Sequence, residues 1–216
     1  RTELFDSFDL NVNVGLLDSG QATTVHERHF HYDEEMYYRC PDNVSLQGYF
    51  QTEKYFRNIK AEIRDDFTFK DEILNPCKEM IKTVDNPIAL HVRRTDYLTN
   101  SANHPPCTLE YYADALKHFD DDRNVIVFSD DSAWCDEQEL FSGDRFLISE
   151  NEDNRVDLCL MSLCSDFIIA NSSFSWWGAW LANRGTVIAP QQWFGTDGYT
   201  KDHNTKDVVP DGWTRI

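Results

Sequence analysis

The chain has 216 residues, of which 41% are apolar and 13% aromatic, a composition sufficient for a packed core in one large or two small domains. Asp and Glu outnumber Lys and Arg by 38 to 20, so the net charge is −18. Such a charge repels nucleic acids and anionic membrane surfaces, and we exclude both as partners. An anionic ligand therefore needs a local cluster of cationic side chains.

The first part of the chain, to about residue 45, mixes short apolar stretches with turns. It contains His26, His29 and His31, which raise the question of a metal site. Spacings of i, i+3 and i+5 place three side chains on one face of neither a helix nor a strand. We therefore assign no metal to these histidines.

The next stretch carries stronger patterns. Val44–Phe50 predicts a strand, and Thr52 predicts the N-cap of an amphipathic helix that follows it. A helical pattern over residues 67–82 contains Pro76, which is expected to kink or split the helix.

A turn at Asp85–Pro87 marks a boundary between residues 1–85 and 86–216. Beyond it, short apolar runs alternate with helical patterns, which predicts βαβ units and a parallel sheet. The predicted strands are 88–93, 124–128, 145–148, 166–170 and 186–189, and the predicted helices are 108–119, 132–141, 154–164 and 174–183.

Right-handed crossovers bring the carboxyl ends of such strands to one edge of the sheet. Loops 94–107, 129–131, 149–153 and 171–175 should meet there. Ligands of open α/β sheets bind at this edge, so these loops are predicted to form the ligand crevice.

Two adjacent arginines, Arg93 and Arg94, follow the first of these strands. Arginine stays charged and presents a planar fork of donors, which suits a phosphate or diphosphate. The alternative is a salt-bridged strand end in which Asp96 neutralises one of the arginines.

Two acidic clusters are separated by the same geometry. Asp120–Asp122 contains the Asp-x-Asp pattern of metal-dependent sugar transferases, but it precedes a strand, so we predict a solvated turn at the opposite edge. Ser129–Asp131 follows a strand and faces the crevice. It is suited both to capping the next helix and to contacting a ligand, and both interpretations remain open.

Asp157 is predicted near the start of a helix at the crevice edge, where a carboxylate is often a partner of the helix dipole. Asn171–Ser175 forms a hydroxyl-rich turn that opens a tryptophan-rich helix. N–H groups and hydroxyls at a helix N-terminus bind anions, and the alternative is an ordinary serine N-cap before a buried helix.

With these segments in place, the sequence resembles the glycosyltransferase family 11 α-1,2-fucosyltransferases. The order and spacing of several motifs carry the resemblance. The matching stretches are Leu46–Phe56, His91–Tyr97, Val127–Asp131 with Trp134, and Asp157–Leu181.

The resemblance implies inverting transfer of fucose from GDP-fucose to a hydroxyl of a galactose-containing glycan, in α-1,2 linkage. It also implies an α/β fold of the GT-B-like type, with no metal or other cofactor required. Residues 1–85 would then be part of the N-terminal, acceptor-side domain, and residues 86–216 the Rossmann-like domain that binds GDP-fucose.

By the same resemblance, Arg93 would hold the β-phosphate, and the turn that contains Ser172, Ser173 and Ser175 would help to bind the diphosphate. His91 and Asp157 would contact guanine, since a carboxylate accepts from both donors of the base.

Arg94 is expected to orient Asp96 or to share the diphosphate. Asp96 lies in the crevice loop and is the candidate base for the acceptor hydroxyl, which makes Arg93 and Asp96 the candidate catalytic residues.

One feature of the family is absent from the sequence, a glycine-rich Gly-Gly-x-Gly-Asn-Gln turn near the start. We therefore expect an incomplete N-terminal domain and a missing preceding segment. The rival function is a non-catalytic protein of this fold that binds a nucleotide sugar or a glycan.

The sequence contains no run of 18 apolar residues and no signal peptide. We expect a cytoplasmic protein, or one peripheral to a membrane where glycans are assembled, and a lumenal Golgi protein if it is eukaryotic with a lost anchor. The six cysteines lack a C-x-x-C pattern and are expected to be free thiols.

Overall fold

The computed structural model describes residues 3–10 and 23–216. Short elements make up its N-terminal part, where two strands form a small parallel sheet in which Thr23 is paired with Val44. These elements are α1 (Glu3–Ser7), β1 (Thr23–His26), α2 (Glu34–Arg39), β2 (Val44–Gln47), α3 (Lys60–Asp66) and α4 (Asp71–Ile81).

The prediction of an amphipathic helix directly after Thr52 is wrong, because two short 3₁₀ helices precede the α-helix α3. Thr52 is a cap, since its hydroxyl accepts from the Lys54 N–H at 3.3 Å, but it caps a short 3₁₀ helix. Phe56 then leaves the helical region with a φ of −129°. Its ring packs on Trp177 and Trp180, with centroids 5.9 and 5.3 Å away. Tertiary packing therefore interrupts the helix.

Of the two effects expected of Pro76, the split does not occur, because α4 runs unbroken through it, and the kink stays a prediction. A proline inside a helix removes its own N–H donor and crowds the carbonyl four residues earlier, so other interactions must offset this cost. The neighbouring side chains of Ile73 and Cys77 are buried, and their packing holds the helix together.

The C-terminal part alternates strands and helices close to the predicted bounds. The helix predicted over 132–141 ends at Asp136 and is followed by a 3₁₀ helix, and two short elements, the helix Thr95–Thr99 and the strand Thr214–Arg215, were not predicted. The elements are β3 (Ile88–Val92), α5 (Thr95–Thr99), α6 (Leu109–Leu116), β4 (Val125–Ser129), α7 (Ser132–Asp136), β5 (Phe146–Ile148), α8 (Asn154–Leu163), β6 (Asp166–Ile168), α9 (Ser173–Ala182), β7 (Val187–Ala189) and β8 (Thr214–Arg215).

All strands of this part form one parallel sheet of six strands in the order β5-β4-β3-β6-β7-β8. This is a doubly wound, Rossmann-type order that reverses direction between β3 and β6. The predicted α/β fold with a parallel sheet is confirmed. Asp120–Asp122 lies in the turn before β4, at the edge opposite the crevice, as predicted.

Helices cover both faces of the sheet. Alternate residues of β3 enter different clusters, with Ala89 on the side of α4, α8 and α9 and Leu90 on the side of α6. Helix α4, which precedes residue 85, therefore shares a core with the sheet, since Cys77 lies in the same cluster as Ala89. The division at residue 85 stays a prediction.

Candidate functional site

A cavity of about 280 Å³ lies at the carboxyl ends of the strands, beside the point where the strand order reverses. The predicted loops after β4, β5 and β6 contribute to it, together with the end of β3. Its lining residues are His91, Arg93, Phe128, Ser129, Asp130, Asn151, Glu152, Asn154, Asp157 and Phe174.

Arg93 brings a positive charge to the mouth of this cavity. Its Nη2 lies 2.9 Å from Asp96 Oδ1, and its Nη1 lies 3.4 Å from Asp130 Oδ2. About a third of the arginine side chain is exposed. The guanidinium is thus partly neutralised while remaining open to a ligand.

Arg94 points elsewhere, and the expectation that it orients Asp96 is wrong. Its Nε donates to Asp131 Oδ2 at 3.1 Å, and its guanidinium stacks over the Trp134 ring at 3.8 Å from the centroid. Arg93 lines the cavity and Arg94 does not, so only one of the two arginines reaches it.

Asp130 and Asp131, which follow β4, divide the two roles that the sequence left open, namely capping of the next helix and a position at the cavity. Asp131 caps α7 by accepting from the Trp134 N–H. Asp130 lines the cavity and accepts from the backbone N–H groups of Arg94 and Thr95 at 2.9 and 3.1 Å, and from the Thr95 hydroxyl. Burial alone would raise the pKa of Asp130, but these hydrogen bonds and the charge of Arg93 lower it. Asp130 is therefore a fixed anion beside Arg93.

Asp157 is buried at the inner end of the cavity. Its Oδ1 accepts from Ser149 Oγ at 2.6 Å and from Asn151 Nδ2 at 2.9 Å, and neither residue donates to Oδ2. Burial raises the pKa of this carboxyl. The side chain is thus held in place by the loop after β5 and presents a second oxygen for a ligand.

His91 is buried next to it, with its ring centroid 5.4 Å from that of Phe174. Burial lowers the pKa of His91 to about 3, so the ring is neutral at physiological pH. Among the described residues its Nδ1 has no hydrogen-bond partner. His91 thus combines a buried, unpartnered nitrogen with a position in the cavity lining.

The N-terminus of α9 closes the crevice. Ser172 is the N-cap and accepts from the Phe174 N–H at 3.3 Å. Ser175 is fully buried, and its hydroxyl donates to the carbonyls of Ala170 and Ser172, so its side chain does not face the crevice. Ser173 is exposed. The ordinary N-cap interpretation holds for the hydroxyls, and anion binding here would depend on Ser173 and on backbone N–H groups.

Sequence reasoning missed Ser149, Asn151 and Phe174 as individual site residues. Each lies in a loop or helix start that follows a parallel strand. That position was the available signal, since the carboxyl ends of parallel strands meet at one edge.

Three other expectations concern the described residues. The described residues contain no group of three or more His, Cys, Asp or Glu side chains that could hold a metal ion. The rings of His29 and His31 stack on each other, with their centroids 5.0 Å apart. No helix in residues 3–10 or 23–216 is long and apolar enough to cross a membrane. The cysteines are free thiols.

Comparisons with known proteins extend these observations. The model of the family described as "Glycosyl transferase family 11" matches residues 25–216. An "Alpha-1,2-colitosyltransferase" of Escherichia coli is 38% identical over 187 residues, which cover 81% of this chain and 63% of the relative. A "Galactoside 2-alpha-L-fucosyltransferase SEC1" of Bos taurus is 24% identical over 197 residues, which cover 82% and 53%.

Among solved structures, a crystal structure of POFUT1 in complex with GDP matches 68% of this chain and 53% of its own, with a TM-score of 0.49 and 13% identity. The chain thus spans between about half and two thirds of the length of these proteins.

Proposed function

The chain belongs to glycosyl transferase family 11, and from this we propose that it provides the donor-binding part of an inverting transferase that moves fucose from GDP-fucose to a galactoside hydroxyl in α-1,2 linkage. The observation that carries the proposal is the placement of Arg93, Asp157 and the start of α9 around the cavity at the strand-order reversal. The name of the bovine relative supports fucose and a galactoside acceptor.

The proposed chemistry requires a cation at the leaving group. Breaking the bond between fucose C1 and the β-phosphate oxygen leaves GDP with additional negative charge, which fixed donors stabilise. Arg93 lies at the cavity and supplies two forked N–H groups. The Ser173 hydroxyl and the N-terminal N–H groups of α9 are the proposed second set of donors.

The acceptor hydroxyl must lose its proton as it attacks, and we assign this role to Asp96. Its carboxylate is 60% exposed and contacts Arg93 at the mouth of the cavity. A base must lie within hydrogen-bond reach of the hydroxyl, and a carboxylate at the mouth meets acceptor and donor together.

Guanine recognition is assigned to Asp157 and His91. The free Oδ2 of Asp157 is suited to the two adjacent N–H donors of guanine, which uracil and adenine lack in this arrangement. The neutral His91 ring lies beside it and offers a further hydrogen bond. The base would lie toward the α8 side of the crevice, and the diphosphate would reach Arg93.

The chain is expected to be stabilised by GDP and GDP-fucose against thermal unfolding, but not by UDP or ADP. A ligand that binds only the folded state increases the free energy of unfolding, by about 2.7 kcal/mol at a ligand concentration of 100 Kd, and so raises the melting temperature. Differential scanning fluorimetry of the chain at matched nucleotide concentrations measures this. Equal shifts with UDP and GDP would rule out the guanine assignment.

Transfer is expected to continue unchanged in EDTA, because the two acidic side chains that follow β4 are already engaged by the protein. Asp131 caps α7, and Asp130 binds the turn after β3. The measurement is the transfer rate after dialysis against EDTA, with and without added Mg²⁺ or Mn²⁺. An absolute requirement for either cation would show that Asp130 or Asp131 is a metal ligand.

Two alternatives remain testable. The E. coli relative, at 38% identity, favours colitose as a second candidate for the transferred sugar, and a comparison of transfer rates from the two activated sugars distinguishes them. The alternative from a different class is a non-catalytic protein that binds a nucleotide sugar or a glycan. It predicts GDP-fucose binding without release of GDP when a galactoside is added.

A further inference from the structure

A second cavity of about 270 Å³ lies beside the first turn of α9. Ser173 lines this cavity, whereas the next residue, Phe174, lines the donor crevice. The remaining walls are largely aromatic and include Phe56 and Trp177. A ligand in this cavity would therefore lie against the same helix turn as the proposed diphosphate.

Tyr49 forms the outer border of this cavity and also lines a third one of about 410 Å³. The third cavity has polar walls, which include His29, Asp202 and Asn204. The Tyr49 side chain is 71% exposed between the two. The aromatic cavity, Tyr49 and the polar cavity form one continuous surface that begins at the start of α9. This surface is aromatic near the helix and polar beyond Tyr49.

This exposed tyrosine is held by a tightly bonded turn. Glu27 Oε2 accepts from the Tyr49 N–H at 2.7 Å, and Oε1 accepts from the Phe50 N–H at 3.1 Å. Phe50 has a φ of +49°, a conformation that bulky residues rarely adopt. A Cβ on Gly48 would lie 2.3 Å from Glu27 Cβ, so only glycine fits. Strained backbone of this kind occurs preferentially at functional sites.

We infer that this surface binds the acceptor glycan, with the terminal galactose in the aromatic cavity beside Ser173 and the following sugar across Tyr49 in the polar cavity. The inference rests on the proposed function and assigns its acceptor site. A saccharide has apolar C–H faces that pack on aromatic rings and hydroxyls that need polar partners, and the surface offers both in that order. A neutral glycan also avoids the repulsion that the net charge of −18 exerts on anions.

The test uses the chain saturated with GDP and two neutral probes, methyl β-galactoside and lactose. Saturation-transfer NMR titrations give the affinity for each probe, and GDP affinity is measured separately by calorimetry. Lactose is expected to bind more tightly than methyl β-galactoside, because its second sugar adds contacts with Tyr49 and with the polar cavity. Tyr49→Ala is expected to weaken lactose binding by about ten-fold, or about 1.4 kcal/mol, and to leave GDP affinity unchanged.

Tyr49→Phe keeps the ring and should retain lactose affinity. Tyr199→Ala, which removes another exposed tyrosine that lines neither cavity, is the matched control and should bind like the wild type. Lactose affinity that survives Tyr49→Ala, or a wild-type chain that does not bind lactose, would overturn the inference. Failure of GDP itself to bind would instead contradict the proposed function.

Glu27 is assigned as a positioning residue for Tyr49. Glutamine has one acceptor oxygen in place of two, so Glu27→Gln should lose one backbone hydrogen bond and weaken lactose binding without affecting GDP. The effect should disappear in the Tyr49→Ala background, because coupled residues are not additive. Additive losses would show that Glu27 acts independently of Tyr49.

Discussion

Replacing Arg93 with lysine is expected to lower kcat/KM for GDP-fucose by roughly 10- to 150-fold, since a charge-assisted hydrogen bond contributes about 1.5–3 kcal/mol and each 1.4 kcal/mol is a factor of ten. Lysine keeps the charge but not the planar pair of donors. The leaving group gains charge in the transition state, so the loss should exceed any change in GDP-fucose affinity. The measurement is steady-state transfer together with the Kd for GDP-fucose.

Arg94→Lys is the matched control at the neighbouring position. Arg94 binds Asp131 and stacks on Trp134, outside the cavity lining. Its replacement should lower the melting temperature and leave nucleotide affinity unchanged. Near wild-type turnover in Arg93→Lys would contradict a role in phosphate binding and would favour the interpretation of Arg93 as part of a structural salt bridge with Asp96.

Asp157→Asn is expected to weaken GDP binding by roughly 10- to 150-fold, because it loses the charge assistance of about 1.5–3 kcal/mol and turns a donor NH2 group, instead of an acceptor oxygen, toward the guanine donors. The fold should not suffer. Both internal donors, Ser149 and Asn151, bind the same oxygen, and an asparagine carbonyl can take its place. Calorimetric titration with GDP and a melting curve give the two readouts.

The pH dependence of this site follows from the raised pKa of Asp157, whose ordinary value is 3.8. GDP affinity should fall with acidification at a higher pH than an exposed aspartate would produce, and the Asn variant should not show this step. A raised folded-state pKa means that stability from this group is present below 3.8 and is lost as pH rises through the folded value. Asp157→Asn should therefore raise the melting temperature at neutral pH and not in acid.

Asp153→Asn provides the comparison, since Asp153 also lies at the start of α8 but caps the helix and binds Arg155. It should lower stability and leave GDP affinity intact. If both variants lost GDP affinity equally, the effect would belong to the helix start and not to a guanine contact.

The sequence by itself was sufficient for the elements of the sheet and for the edge at which the cavity with Arg93 lies. Strand β3 is buried at every position, so it reads as one apolar run, and Ser172 caps α9 as its neighbours predict. Periodicity and capping depend on residues within a few positions of each other, and the order of strands and helices then places the loops at one edge. Arg93 and Asp157 were found in this way.

Only the tertiary structure decided which side chains meet. The carboxylate of Asp130 binds the backbone of Arg94, 36 residues away, and Trp180 donates to Glu53 across 127 residues. Such pairings leave no local periodicity, which is why Asp96 was assigned to Arg94 although it binds Arg93, and why the helix after Thr52 was overestimated. The position of Tyr49 also depends on tertiary structure. Glu27 accepts from its backbone N–H, and the pairing of β1 with β2 brings Glu27 close to the turn that contains Tyr49.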